Sequence, residues 1–333
     1  MDIEDTAQLL AYLRRDGRVG AEEDVAATVL TGGVSNRTVL VERPSGEAWV
    51  LKQALPKLRV PVDWFCPPER IEREALGLRF LARLAPPETV PVLVFEDLSE
   101  HLLAMQAVPQ PHENWKSMLL AGRLEETHVE QFARLIARIH SQARGAALPA
   151  DFADRTYFEA LRLEPYYSYT MGRAPEAAGF LDALMAETRG TRDTLVHGDY
   201  SPKNVLVHRG KLVLLDHEVV HIGDPAFDIG FSMAHLLSKA HHLPALRERF
   251  AAAALRYFAI YMADAGADEP RCIRHSLACL LARVCGRSQL EYLDHSEKTK
   301  QRAAVAALMA APPSTMSAMI EEFVGRLNAS AAH

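Results

Sequence analysis

No stretch constrains this chain more than residues 197–230, HGDYSPKNVLVHRGKLVLLDHEVVHIGDPAFDIG. It opens behind the apolar pair Leu195 and Val196, which puts Asp199 in a loop at the end of a short strand. Asn204 follows five residues later. Residues 205–207 and 212–215 are short aliphatic runs around an Arg209-Gly210 turn, so the sequence predicts a hairpin that ends at Asp216 and carries it back towards Asn204.

Three acidic or amide groups at these intervals suit phosphoryl transfer. That reaction asks little covalent chemistry of a protein and much positioning: an aligned hydroxyl, and cations on the phosphate oxygens. Mg²⁺ prefers hard oxygen ligands and takes only one or two carboxylates. Asn204 and Asp216, one neutral and one charged, meet that demand as metal ligands. Asp199 is then left to orient the attacking hydroxyl and receive its proton. Protein kinases use the same intervals, H-x-D-x-x-x-x-N followed by a metal-binding Asp. Here Gly198 stands where they carry Arg, His217 and Glu218 replace Phe-Gly after Asp216, and no APE-type activation segment follows. These departures point away from a protein substrate.

HGDYSPKN, LLDHE and GDPAFDIG, linked and in order, resemble the aminoglycoside phosphotransferase and choline kinase-like superfamily, kinase-fold enzymes that phosphorylate small molecules. The resemblance covers most of residues 25–240. It implies ATP and Mg²⁺ as cofactors and a small-molecule acceptor. The fold expected is α+β and bilobal: a small antiparallel-sheet nucleotide lobe over residues 1–108, then a larger, mainly helical catalytic lobe over 109–333. In the superfamily the Asp of GDPAFD braces the catalytic loop, which gives Asp228 a structural role by resemblance. Asp224 reads as the N-cap of the helix that Pro225 starts.

Composition excludes several alternatives. With 333 residues, 49% hydrophobic, 24% charged and a net charge of -6, the chain is an ordinary globular protein and not a nucleic-acid binder. The start MDIEDTAQLLAYLRR lacks the basic and apolar parts of a signal peptide, and FAAAALRYFAIYMA is broken by Arg256, so no membrane association and a cytoplasmic location are expected. Cys66, Cys272, Cys279 and Cys285 lack metal-site spacing and read as buried thiols.

In chain order, residues 4–15 place Leu9, Leu10 and Leu13 on one face of a leading helix. Strand-like runs follow at 25–30, 38–42 and 49–53, the first two flanking TGGVSN. Gly32 and Gly33 let backbone N–H groups approach phosphates, with Ser35 as a hydroxyl donor. GGVSN before a strand also looks like the nucleotide-covering loop of the superfamily. Lys52 sits among apolar neighbours in WVLKQAL, where a lysine is seldom placed without an anionic partner. The helix after Pro67-Pro68 carries Glu72 and Glu74, either of which could hold Lys52 against the α and β phosphates; resemblance in the REA triplet favours Glu74. KQALPKLR, residues 52–59, resembles methylthioribose kinases, a likeness confined to the nucleotide lobe. Runs at 89–97 and 101–108 complete a five-strand sheet, and the hinge falls at residues 106–109, where Gln106 and Val108 would meet adenine.

From about Trp115 the pattern is helical, with His140 on a core face and Tyr166, Tyr167 and Tyr169 grouped for packing between helices at 154–171 and 176–189. Helices near 244–264, 269–287, 297–310 and 314–328 finish the chain. Arg283 and Arg287, four apart on one predicted helix face, and Glu218 are the candidate acceptor-binding residues. Aminoglycosides are polycations and call for surrounding carboxylates. Residues 148–195 and 236–333 together hold 17 acidic and 17 basic side chains, and the terminal ASAAH lacks the acidic residue that some aminoglycoside kinases contribute. The balance favours a sugar-like or other polyhydroxyl acceptor. An aminoglycoside or other antibiotic as acceptor, and an inert nucleotide-binding protein, are the alternatives.

Overall fold

The computed structural model describes residues 1–329; the remaining four, within ASAAH, lie outside the described residues. Two units are distinguished: Met1–Gln110 with Leu215–Glu218, and Pro111–Leu214 with the chain from Val219 onward.

The first unit is built on an antiparallel sheet. β1 (Ala26–Val29), β2 (Asn36–Glu42), β3 (Ala48–Ala54), β4 (Leu93–Asp97) and β5 (Leu102–Gln106) lie in the order β1-β2-β3-β5-β4. Strand alternation sends Val39, Val41, Trp49, Leu51, Leu102 and Ala104 to the core. They pack with Leu9, Tyr12 and Leu13 of the leading helix α1 (Thr6–Arg15), whose N-cap Asp5 accepts from the N–H groups of Ala7 and Gln8. Tyr12 takes a core place on the face predicted for Leu10, which is half-buried; its hydroxyl donates to Asp97 at 2.8 Å. The helix α2 (Arg70–Leu84) buries Ile71, Ala75, Leu78 and Leu81 and packs on β3, β4 and β5.

The second unit is mainly helical. A three-strand sheet, β6 (His112–Asn114), β8 (Val205–His208) and β9 (Lys211–Leu214), carries the predicted hairpin, and β6 adds a strand not predicted from the sequence, just beyond the expected hinge at 106–109. Arg209 and Gly210 both have positive φ, 50° and 73°, the two-residue turn whose twist matches a hairpin. A short pair joins β7 (Thr194–Val196) to β10 (His221–Gly223). Around these lie α3 (Trp115–Leu120), α4 (Glu126–Arg144), α5 (Thr156–Phe158), α6 (Tyr169–Arg173), α7 (Ala178–Gly190), α8 (Pro225–His242), α9 (Arg247–Asp264), α10 (Glu269–Cys285), α11 (His295–Ala310) and α12 (Met316–Ala329). The helix expected over 154–171 is not one regular α-helix. Between α5 and α6, Glu159–Ser168 is π-helical with Pro165 inside it. Proline lacks the N–H and crowds the preceding turn, and a wider turn accommodates it.

α8 is buried almost all round, the mark of a core helix, although Asp228, His235 and Lys239 lie within it. A Cβ on Gly230 would come 2.4 Å from His275 Cβ, so α8 approaches α10 more closely than any larger residue permits. Asp224 caps α8 through the Ala226 N–H at 3.0 Å, an interaction worth about 1 kcal/mol. All four cysteines are buried, and none forms a disulfide. Among the described residues no helix is long and apolar enough to cross a membrane.

Candidate active site

In the first unit β3 delivers Lys52 to a group of carboxylates. Its Nζ is 2.5 Å from Glu74 and 2.8 Å from Asp216. Of the two carboxylates on α2, Glu74 is buried and meets the lysine, whereas Glu72, two residues away on the helix, is exposed. Burial favours the neutral amine, but Asp216, Glu74 and Glu218 outweigh it and hold the Lys52 ammonium above the usual lysine range. Burial raises the Glu74 carboxyl; Lys52 opposes the rise, and Asp216 and Glu218 add to it. Oxygens of Glu74, Asp216 and Glu218 lie within 4.8 Å of one another; Lys52 holds Glu74 and Asp216 and Arg70 holds Glu218, so of the three Asp216, the least buried, is the carboxylate whose hard oxygens suit Mg²⁺. Asp216 has φ +68°, a left-handed conformation costing about 1–3 kcal/mol that tends to persist at functional sites.

Glu218 is buried against Arg70, whose Nε is 3.0 Å away, and accepts from Asn36 at 3.3 Å. Arg70 is itself fully buried and donates to the carbonyls of Leu55, Cys66, Pro67 and Ser35. It ties Glu218 to the end of the glycine loop. That loop is exposed, with Gly32 at φ +109° and open space around it and Gly33 beside it, and the Ser35 hydroxyl accepts from Asn36 at 3.1 Å. Gln106 ends β5, its N–H on the Val92 carbonyl; the Ala107 N–H is on that of Ala48, and Val108 is half-buried.

In the second unit the loop after β7 is fixed by its backbone. Asp228 accepts from the N–H of His197 at 2.7 Å and of Gly198 at 2.8 Å, and meets His140 Nε2 at 3.2 Å. Burial would raise the Asp228 carboxyl, but the His140 hydrogen bond, the charges of His140 and His197 and the His197 N–H hold it below the usual range. Gly198 has φ +76°, and a Cβ there would lie 2.9 Å from Val219, a steric reason for HGD in place of HRD. Asp199 Oδ2 accepts from Asn204 Nδ2 at 2.6 Å and pairs with Arg162 at 2.8 Å. Oδ1 has no hydrogen-bond partner among the described residues. Arg162, buried in the π-helical segment, also donates to the Gly198 carbonyl at 2.8 Å.

Sequence reasoning missed Arg70 and Arg162. Arg162 carried a signal, a charge between Leu161 and Leu163 much like Lys52 in its strand. Arg283 and Arg287 do not share a helix face. α10 ends at Cys285, Gly286 is extended, and the Arg287 N–H donates to the Pro165 carbonyl while its side chain pairs with Glu164 at 2.8 Å. Arg283 is buried and donates to Tyr166 at 2.7 Å and Ser288 at 3.0 Å.

The methylthioribose kinase of Yersinia pseudotuberculosis serotype O:1b (strain IP 31758) is 26% identical over 271 residues, 72% of this chain. That likeness reaches well beyond the nucleotide lobe to which the KQALPKLR motif confined it. The chain spans 66% of the length of that relative. Among solved structures, a choline/ethanolamine kinase family protein from Mesorhizobium loti aligns over 97% of this chain and 99% of its own, with TM-score 0.58 and 16% identity. Amicoumacin kinase hAmiN, in complex with AMP-PNP, Ca²⁺ and Ami, aligns over 96% and 99%, with TM-score 0.60 and 14% identity. These likenesses show the fold, an α+β, protein-kinase-like one. The profile of the phosphotransferase enzyme family matches residues 26–271, most of the chain, and the protein belongs to that family.

Proposed function

We propose that this phosphotransferase moves the γ-phosphoryl group of ATP to a hydroxyl of a small sugar-like or other polyhydroxyl molecule. The observation that carries the reading is the anchoring of Asp199: its loop is held by Asp228, its Oδ2 by Asn204 and Arg162, and its Oδ1 has no such partner. The acceptor hydroxyl gives its proton to Asp199 as its oxygen bonds to phosphorus and the bond to the bridging oxygen of ADP breaks. Lys52, positioned by Glu74, takes the α and β phosphates. Gly32, Gly33 and Ser35 cover the nucleotide, and Gln106 and Val108 flank adenine. Asn204 and Asp216 would hold Mg²⁺, which when bound neutralises charge on the phosphate oxygens. The likeness to a methylthioribose kinase and the even charge of the helical part support a sugar-like acceptor over a polycation. A cytoplasmic setting, which supplies ATP and keeps the four buried thiols reduced, suits the reading.

The test offers kanamycin-type, macrolide-type, thiopentose and other sugar acceptors at equal concentration and follows ATP consumption. Asp199→Asn is expected to lower kcat by about 10² to 10⁴ while nucleotide affinity holds. Nucleotide binding with no turnover on any acceptor would instead make the protein an inert binder. Turnover of the aminoglycoside alone would make it an antibiotic kinase.

A further inference from the structure

A basic cluster in the second unit extends away from Asp199. Arg162 and Arg283 lean on the same ring, with their guanidinium carbons 5.9 and 5.6 Å from the centre of Tyr166. Arg162 also lies 5.9 Å from Phe231, whose ring is 5.1 Å from His235. One turn further along α8, Lys239 is fully buried. Its Nζ donates to the His235 carbonyl at 3.1 Å and stands 5.6 Å from the centre of the Tyr292 ring, which Lys116 meets at 5.9 Å.

Counter-charges are scarce there. Arg162 is paired with Asp199 and Lys116 with Glu291, but among the described residues neither Arg283 nor Lys239 touches a carboxylate. Arg283 donates to two neutral hydroxyls, and its buried Nε has no partner; nor has His235 Nδ1 or the Tyr292 hydroxyl. Lysine and arginine are almost never fully buried unless paired. The titration of the cluster follows its geometry. Burial, then Arg283, Lys239, Lys116 and Lys203, push His235 well down. Burial, Lys116 and Arg283 bring Lys239 to about 7, with Glu291 acting the other way.

An anion with several acceptor oxygens would complete this cluster, since a guanidinium fork and an ammonium both match carboxylate and phosphate. The cluster is contiguous with Asp199 through Arg162. It meets solvent at the half-buried Lys116 and Tyr292 and the exposed Glu291, whose carboxylate an incoming anion would replace on Lys116. We propose that Arg283 and Lys239 bind the acidic group of the phosphoryl acceptor, so that the substrate is a hydroxylated carboxylic acid or a sugar phosphate and not a neutral polyol. The assignment of this anion to the acceptor rests on the phosphotransferase reading above.

The test is calorimetric titration of the nucleotide-free protein with D-gluconate, D-glucose 6-phosphate, inorganic phosphate and neutral D-glucitol, up to about 10 mM, beyond ordinary Michaelis constants. At least one anion should bind saturably and glucitol should not; gluconate against glucose 6-phosphate tells carboxylate from phosphate. Arg283→Gln and Lys239→Met should each weaken the bound anion about tenfold or more, and Arg283→Lys should restore part of the loss. Three results overturn the proposal: glucitol binding as tightly as the anions, saturation by none of them, or unchanged anion affinity in both variants. The wild-type comparison of gluconate with glucitol needs no variant to fold. The two readings fail separately. If no acceptor consumes ATP, the kinase reading falls while anion selectivity still stands on binding; if the anion site fails, turnover of neutral polyols remains.

Discussion

Lys52 and Lys239 are both buried lysines, and their surroundings are opposite. Lys52 faces Glu74, Asp216 and Glu218, which hold it charged; Lys239 faces Arg283 and Lys116, and its ordinary value of 10.5 falls to about 7. Burial penalises the ammonium at both positions, so the difference comes from the sign of the neighbours. A lysine among carboxylates is complete within the protein. A lysine among cations is not, and the anion proposed above would complete it.

The comparison breaks most readily at Lys52. Lys52→Met leaves buried carboxylates without their cation, and losing one partner of a buried pair costs about 3–5 kcal/mol. Chemical denaturation near neutral pH should show a loss of that order, with a higher apparent KM for ATP. Glu74→Ala should raise the same KM, and the double variant should lose less than the sum of the singles. Strict additivity would mean that the two do not act as a pair.

Lys239→Met should behave in the contrary way. A lysine depressed to about 7 when folded and near 10.5 when unfolded takes up more protons in the unfolded chain between those values, so its contribution to stability improves as pH rises from about 7 to 10.5. The stability of the wild type relative to Lys239→Met should therefore climb across that window. Lys52, raised above its ordinary value, keeps its stabilising contribution throughout the same window and adds no slope there. Parallel profiles for wild type and Lys239→Met would mean that Lys239 titrates normally.

The smallest effect is expected at Glu291, the carboxylate acting on Lys239. Glu291→Gln should change stability by no more than about 1 kcal/mol, as for other exposed ion pairs. It should also lower the Lys239 midpoint below that of the wild type, read by NMR of the lysine side-chain signals. An unmoved or rising midpoint would show that another anion controls Lys239.

The Lys52 half of this contrast was legible in the sequence and the Lys239 half was not, for reasons of distance along the chain. Lys52 stood out because its neighbours in the strand are apolar, and the loop around Asp199 because its groups recur at short fixed intervals. Glu72 and Glu74 could not be separated by spacing alone; the helix turns one outward and the other in. Arg70 finds Glu218 148 residues away and Arg162 finds Asp199 37 residues away, so neither partnership leaves a local trace. The end of α10 at Gly286, which separates Arg283 from Arg287, depends on close packing: a Cβ there would lie 2.6 Å from the Ala282 carbonyl and 3.0 Å from that of Pro165.

The assignment of Leu215–Glu218 to the first unit limits how the protein can be divided. A fragment ending at Gln110 would keep the sheet, α2, Lys52 and Glu74, yet lose Asp216 and Glu218, two of the three carboxylates around the lysine. Arg70 would lose its carboxylate with them. A first unit exchanged between relatives as one continuous piece would therefore arrive with an incomplete charge set, and a chimaera must also carry residues 215–218, which follow β9.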